Sequence, residues 1–182
     1  MRIRSLVPAV AIAAALLCGC GDRRLILNVD VLSYMDAGER TFPVAAVPGV
    51  DVTATVVDDQ AISMFEGLGD VAGIESVSLG IGAIGVDSTG SGTVAVKLYL
   101  ADEGTDPLTT PPVLDQTLTF APGQSDTLSA TVDGDARIRD LFSHRQMRVS
   151  VTAGTHVTSP GPMTGHVTLT RLDAVVICKR SQ

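Results

Sequence analysis

Thr93-Val94-Ala95-Val96-Lys97-Leu98-Tyr99-Leu100 decides the fold class. Large aliphatic residues occupy every even position, and the side chains between them are Thr, Ala, Lys and Tyr. A two-residue period places one set of side chains on a buried face and the other toward solvent, which is the signature of a half-buried β-strand. The same alternation recurs on both sides of this stretch. It runs through Leu25, Leu27, Val29 and Val31; through Leu118 and Phe120; through Leu128, Ala130 and Val132; and through Met147, Val149, Val151 and Ala153. Val and Thr fill these windows, as a pleated surface prefers. Turn-forming clusters separate them: Pro48-Gly49, Ser88-Thr89-Gly90-Ser91-Gly92, Glu103-Gly104-Thr105-Asp106-Pro107, Pro111-Pro112, Pro122-Gly123 and Ser159-Pro160-Gly161-Pro162. Many strands at short intervals, with no βαβ rhythm, predict an all-β fold, an antiparallel β-sandwich of jelly-roll or Ig-like type spanning residues 25–182.

Two places break the alternation. The apolar set is odd at Val167 and Leu169 and even at Leu172, Ala174 and Val176, which predicts either a bulge near Thr170-Arg171 or a crossing between sheets there. Similarly, Val77, Leu79 and Ile81 give way to Ile84 and Val86 across Gly82 and Gly85, predicting a second bent strand. Two short helical segments are also expected. One follows Asp58-Asp59, with Ile62, Phe65 and Leu68 on one stripe. The other follows Asp135, with Ile138, Leu141 and Phe142 on one stripe. In each, an Asp is available to cap the free N–H groups of the first turn, and a Phe is placed to plug an open end of the sandwich.

Composition narrows the functional classes. Of the 182 residues, 45% are hydrophobic and 18% charged, which excludes a wholly disordered chain. Aromatics make up 3%, with no Trp, so stacking platforms for sugars or bases have little to draw on. The formal charge is −7, the wrong sign for a nucleic-acid partner.

The N-terminus has a different character. Met1 to Arg4 is basic, Leu6 to Leu17 is an apolar run, and Leu17-Cys18-Gly19-Cys20 follows. The run is too short for a membrane-crossing helix, which needs about 20 residues, and the layout is that of a secretory signal. The last four residues resemble the lipobox of bacterial lipoproteins. That resemblance implies a signal peptide over residues 1–19, cleavage between Gly19 and Cys20, and acylation of Cys20 by diacylglyceryl and fatty chains such as palmitate. Residues 20–24 would then form a short lipid-anchored tether. Cys18 is a poorer acceptor because bulky Leu17 precedes it. Loss of Arg2 and Arg4 with the signal takes the formal charge from −7 to −9. The implied address is the bacterial cell envelope, outside the cytoplasm. Gly21, rather than Asp, after the acylated residue favours the outer membrane over the inner.

No catalytic spacing stands out. There is no GxSxG elbow and no phosphate-binding GxxxxGK[ST] loop, and Gly67-Leu68-Gly69-Asp70-Val71-Ala72-Gly73 misses the dinucleotide fingerprint by one residue. His156 and His166 flank the Ser159–Pro162 turn and would face one another if that turn closed a hairpin, giving half of a zinc site. Asp102-Glu103-Gly104-Thr105-Asp106 and Asp133-Gly134-Asp135 offer carboxylates for calcium, but Asp and Gly equally serve turns. Cys178, which follows Ala174-Val175-Val176-Ile177, reads as a small buried hydrophobe. The reading that follows has no cofactor, metal or catalytic residue: a lipid-anchored, non-enzymatic binding or structural module. Its partners are membrane lipid through acylated Cys20 and an unspecified envelope protein or polymer. The alternative is an envelope enzyme or a calcium- or zinc-dependent domain, which a metal-dependent shift in melting temperature would reveal.

Overall fold

The computed structural model describes residues 24–35, 38, 40–63, 71–144 and 146–180. Nine strands occur among them: β1 (Arg24–Asp30), β2 (Thr41–Ala46), β3 (Val52–Ser63), β4 (Val71–Val86), β5 (Gly92–Asp102), β6 (Leu114–Phe120), β7 (Asp126–Asp133), β8 (Gln146–Val157) and β9 (Met163–Arg180). One α-helix, α1 (Ala136–Leu141), and two 3-10 turns at Val31–Tyr34 and Pro107–Thr109 accompany them.

The strands form two antiparallel sheets. In the first, β1 and β2 lie end to end along one edge of β9, followed by β4 and β7; in the second the order is β3-β8-β5-β6. The pairs β2·β9, β3·β8, β4·β7 and β5·β6 are nested inside one another. That is one long hairpin folded over into two layers, a jelly roll. The nesting decides between the two sandwich types left open by the residue pattern.

The alternating aliphatics meet between the layers. Val94, Val96, Leu98 and Leu100 of β5 face inward with Met147, Val149, Val151 and Ala153 of β8. From the other sheet come Val77, Leu79 and Ile81 of β4 with Leu172, Ala174, Val176 and Cys178 of β9. At about 25 cal/mol per Å² of apolar surface removed from water, this seam is the main favourable term for the fold.

β9 is bent where its alternation breaks. Gly82 pairs with Arg171 and Ala83 with Leu169, so Thr170 is the extra residue, and the buried set changes from odd to even across it. The expected second switch, in β4, does not occur. Val77, Leu79, Ile81, Ala83 and Gly85 all stay on the inner face, and Ile84 and Val86 lie half-buried on the outer one. The inward place at Gly85 is filled by the ring of Phe120, reaching across from β6. The irregularities of β4 lie nearer its start, where Ala72 and Glu75 interrupt the pairing with β9.

The helix after Asp135 is present. Asp135 Oδ1 accepts from the Ile138 N–H at 2.9 Å, and Ile138, Leu141 and Phe142 are buried. α1 touches β4 in one sheet and β5 in the other, so it closes one open end of the sandwich. The helix expected after Asp58-Asp59 is corrected in part: Asp58, Asp59 and Ile62 lie in β3, while Phe65 and Leu68 fall outside the described residues. Two residues, Asp58 and Asp59, stand opposite Ser150 of β8 in a bulge. Asp59 adopts φ 52°, a left-handed conformation that Asp tolerates better than most residues. Its N–H donates to Ser150 Oγ at 3.0 Å and its carboxylate pairs with Arg148. Pairing with β8 thus overrides the three-residue apolar spacing.

Candidate functional site

The strand directions give the molecule two ends. At one, β1 begins and β9 finishes, with Arg24 opposite Lys179. At the other, the turns β2–β3, β4–β5, β6–β7 and β8–β9 cluster. Gly19 and Cys20, the expected cleavage and acylation positions, lie outside the described residues. Only four residue steps separate Cys20 from Arg24, a reach of at most about 14 Å at 3.3–3.6 Å per residue. A chain acylated at Cys20 would hold the β1 end close to the bilayer.

The three histidines do not converge. The Ser159–Pro162 turn carries the chain from one sheet to the other instead of closing a hairpin, so His156 of β8 and His166 of β9 are in different layers. This corrects the expectation that they face one another. His156 lies opposite Thr93, with its Nδ1 2.7 Å from Asp51 Oδ1. His166 lies between Pro43 and Val86, with its Nδ1 3.9 Å from Asp87 Oδ2. His144 bonds through Nδ1 to Asp102 at the end of β5. That hydrogen bond raises its pKa above the ordinary histidine value; Coulombic attraction to Asp102 adds to it and desolvation opposes it.

The acidic loops are engaged in backbone structure. Asp106 Oδ1 accepts from the Leu108 N–H at 2.9 Å and caps a 3-10 turn. Asp135 caps α1, and Asp133 Oδ1 accepts from Ser78 Oγ at 3.3 Å. The Gly134 N–H donates to the Val77 carbonyl at 2.7 Å, and the space a side chain would take there is occupied by Val77 and Ile138. Among the described residues no three His, Cys, Asp or Glu side chains gather as metal ligands would. Cys178 is fully buried in β9, and burial pushes its thiol pKa up, as suits a core residue rather than a nucleophile.

One surface feature escaped the sequence reading. Among the described residues five large hydrophobic side chains are exposed, and three of them flank the β2–β3 turn: Val47 (51% exposed), Val50 (49%) and Val52 (39%). The Val50 N–H donates to the Val47 carbonyl at 3.2 Å, with Pro48 and Gly49 (φ 77°) at the corner positions, the geometry of a type II turn. The Pro-Gly signal marked the turn, but a period-two search discounts apolar residues that border a turn. This apolar rim lies at the end of the sandwich remote from Arg24, beyond Ala46, which pairs with Met163 at the start of β9.

No protein-family model matches the chain, and no curated protein matches it. Solved structures with a similar course of the backbone include infectious bursal disease virus of the Gt strain, at 12% identity and TM-score 0.46, over 97% of this chain and 43% of that one. The VP2 subviral particle of the same virus aligns at 12% identity and TM-score 0.45, over 97% and 42%. TmCBM61, solved in complex with β-1,4-galactotriose, aligns at 8% identity and TM-score 0.31, over 80% and 88%. The chain spans less than half the length of the viral chains it matches. The nested strand pairing, rather than these distant likenesses, assigns the jelly roll.

Proposed function

We propose that this chain is a lipid-anchored lipoprotein of the bacterial cell envelope, its jelly roll held outside the cytoplasm as a non-enzymatic binding or structural module. The observation that carries the reading is the Leu17-Cys18-Gly19-Cys20 box, ending four residues before β1 opens. Each acyl methylene placed in the bilayer contributes about 0.8 kcal/mol, and a single chain holds only marginally; the two or three chains of a lipobox Cys give a durable anchor. The partner at that end is membrane lipid, with the outer membrane favoured by Gly21.

The opposite end suits contact with another envelope component. β9 has 18 residues, so at 3.2–3.4 Å per residue the Val47–Val52 rim stands roughly 55 Å along the strand from the tether. Exposed aliphatics grouped on one rim are the kind of patch that protein or polymer contacts cover.

The deciding experiment is fractionation of native-host cells expressing Cys20→Ser. The wild-type protein should sediment with membranes and the variant should appear in the soluble fraction. A variant that still sediments after a salt wash removes the anchor. Pull-down with Val50→Asp beside wild type then separates the two module types. A partner recovered only by wild type marks a binding module, and the absence of any partner marks a structural one.

A further inference from the structure

The outer face of the first sheet changes character rung by rung from the anchored end. Residues directly opposite in an antiparallel pair share a face. The outward rungs of β1 and β9 read Arg24·Lys179, Ile26·Ile177, Asn28·Val175 and Asp30·Asp173. The first rung is basic, the next two carry Ile26, Ile177 and Val175, and the fourth carries Asp30 beside Asp173, the latter ion-paired with Arg171. Ile26 is 61% exposed, the most exposed large hydrophobic side chain among the described residues. Its neighbours Ile177 and Val175 are half-buried, so the three form one strip along the sheet edge. Arg24 is 59% exposed and ion-pairs with Glu75 at 2.8 Å, which leaves its aliphatic stem beside the strip.

We infer that this lip, built from Arg24, Ile26, Val175, Ile177 and Lys179, rests on the lipid surface of the leaflet that holds the anchor. The inference rests on acylation of Cys20. The occupant follows from where the chain leads: Ile26 is six residues from Cys20, so the strip lies within about 22 Å of the acylated residue at any extension of the tether. Lys and Arg stems cover apolar surface where proteins meet bilayer interfaces; here the exposed Lys179 ammonium reaches phosphates, while the Arg24 guanidinium is shared with Glu75. The Asp30·Asp173 rung sets the limit of contact through Asp30, which an anionic surface repels; the Asp173 carboxylate is already ion-paired with Arg171 at 2.7 Å. The sandwich therefore leans on its lip with the rest of the sheet lifted clear, and the Val47–Val52 rim points away from the membrane.

The chain contains no Trp, so an introduced indole reports alone. The acylated full-length protein, as Ile26→Trp and separately as Val50→Trp, is reconstituted into phosphatidylglycerol–phosphatidylcholine vesicles with bromine high on the acyl chains. Val50 is an exposed position at the far end and controls for the intrinsic preference of indole for interfaces. The Ile26→Trp protein should lose roughly half its emission or more relative to unbrominated vesicles, as expected for a side chain buried some 5–10 Å into the interface, and the Val50→Trp protein should be unchanged. Acylation by intact mass on the same samples keeps the two ideas apart. Acylated Ile26→Trp protein that stays unquenched overturns the docked lip and leaves the anchor standing, and so does equal quenching in both variants. A blue-shifted Ile26→Trp emission that bromine does not quench shows a second protein copy covering the lip and likewise overturns the lipid contact. A first residue without acyl chains overturns both.

Discussion

A single methyl group at Gly85 should measurably destabilise the fold, and shortening one side chain in the opposite sheet should undo most of the loss. A Cβ at position 85 would stand 2.6, 2.8 and 3.3 Å from Cζ, Cε2 and Cε1 of Phe120. Carbon atoms pack comfortably at about 3.5–4.0 Å, so the ring would have to retreat by about 1 Å. The ring lies as closely over Gly165, where an added Cβ would be 2.9 Å from Cε1. The ring is 2% exposed and fills the volume that two missing side chains leave between β4 and β9. Overpacking of this kind costs about 1–3 kcal/mol. For a domain of this size each kcal/mol lowers the melting temperature by roughly 2–4 °C, so Gly85→Ala should lower it by roughly 2–12 °C. Phe120→Leu removes the outer ring atoms that clash. It costs stability by leaving a cavity, but in that background Gly85→Ala should cost less than about 0.5 kcal/mol, a coupling within the range known for residues in contact. Gly165→Ala should be rescued only in part, because the Val86 carbonyl oxygen would also lie 3.0 Å from the new methyl. Thermal and urea melts of the four members of the cycle measure this directly. Additive costs for Gly85→Ala and Phe120→Leu would refute the packing described here.

Two further outcomes are expected. The His144 pKa is raised in the folded state, so the stabilisation it brings is fully present below the unfolded value of about 6.5 and is lost as pH rises through the folded pKa. Both partners are nearly half exposed, so the effect on stability is small and NMR titration is the better readout: Asp102→Asn should return the His144 titration toward 6.5, and an unmoved midpoint would exclude that hydrogen bond as the cause. Cys178 should resist a thiol reagent in native protein and react stoichiometrically in denaturant, since burial blocks access and disfavours the thiolate; peptide mapping that finds Cys178 itself labelled within minutes in the folded protein would place the side chain outside the core.

What could be read along the chain is what depends on near neighbours. The alternation in Val94–Leu100 and Met147–Ala153 marks inward faces because side chains leave a strand in opposite directions at every step. The parity break at Thr170 exposes its bulge for the same reason, and Asp135 reveals a helix start because a cap binds an N–H three residues on. The Cys20 box is equally local in the sequence, and its acylation stands as a proposal for the Cys20→Ser fractionation to test. The three-residue spacing from Ile62 misled, because pairing of β3 with β8 outweighs a weak local preference. The expected switch in β4 misled because Gly85 carries no side chain: its inward role exists only through Phe120, far along the chain on β6. The choice of jelly roll over Ig-like sandwich, the separation of His156 from His166, and the rung order from Arg24·Lys179 to Asp30·Asp173 all depend on which strand lies beside which. Strand pairing joins residues distant in sequence, such as Thr41 and Thr168, and the same alternating faces satisfy many pairings. Only closure of both sheets around one core selects among them.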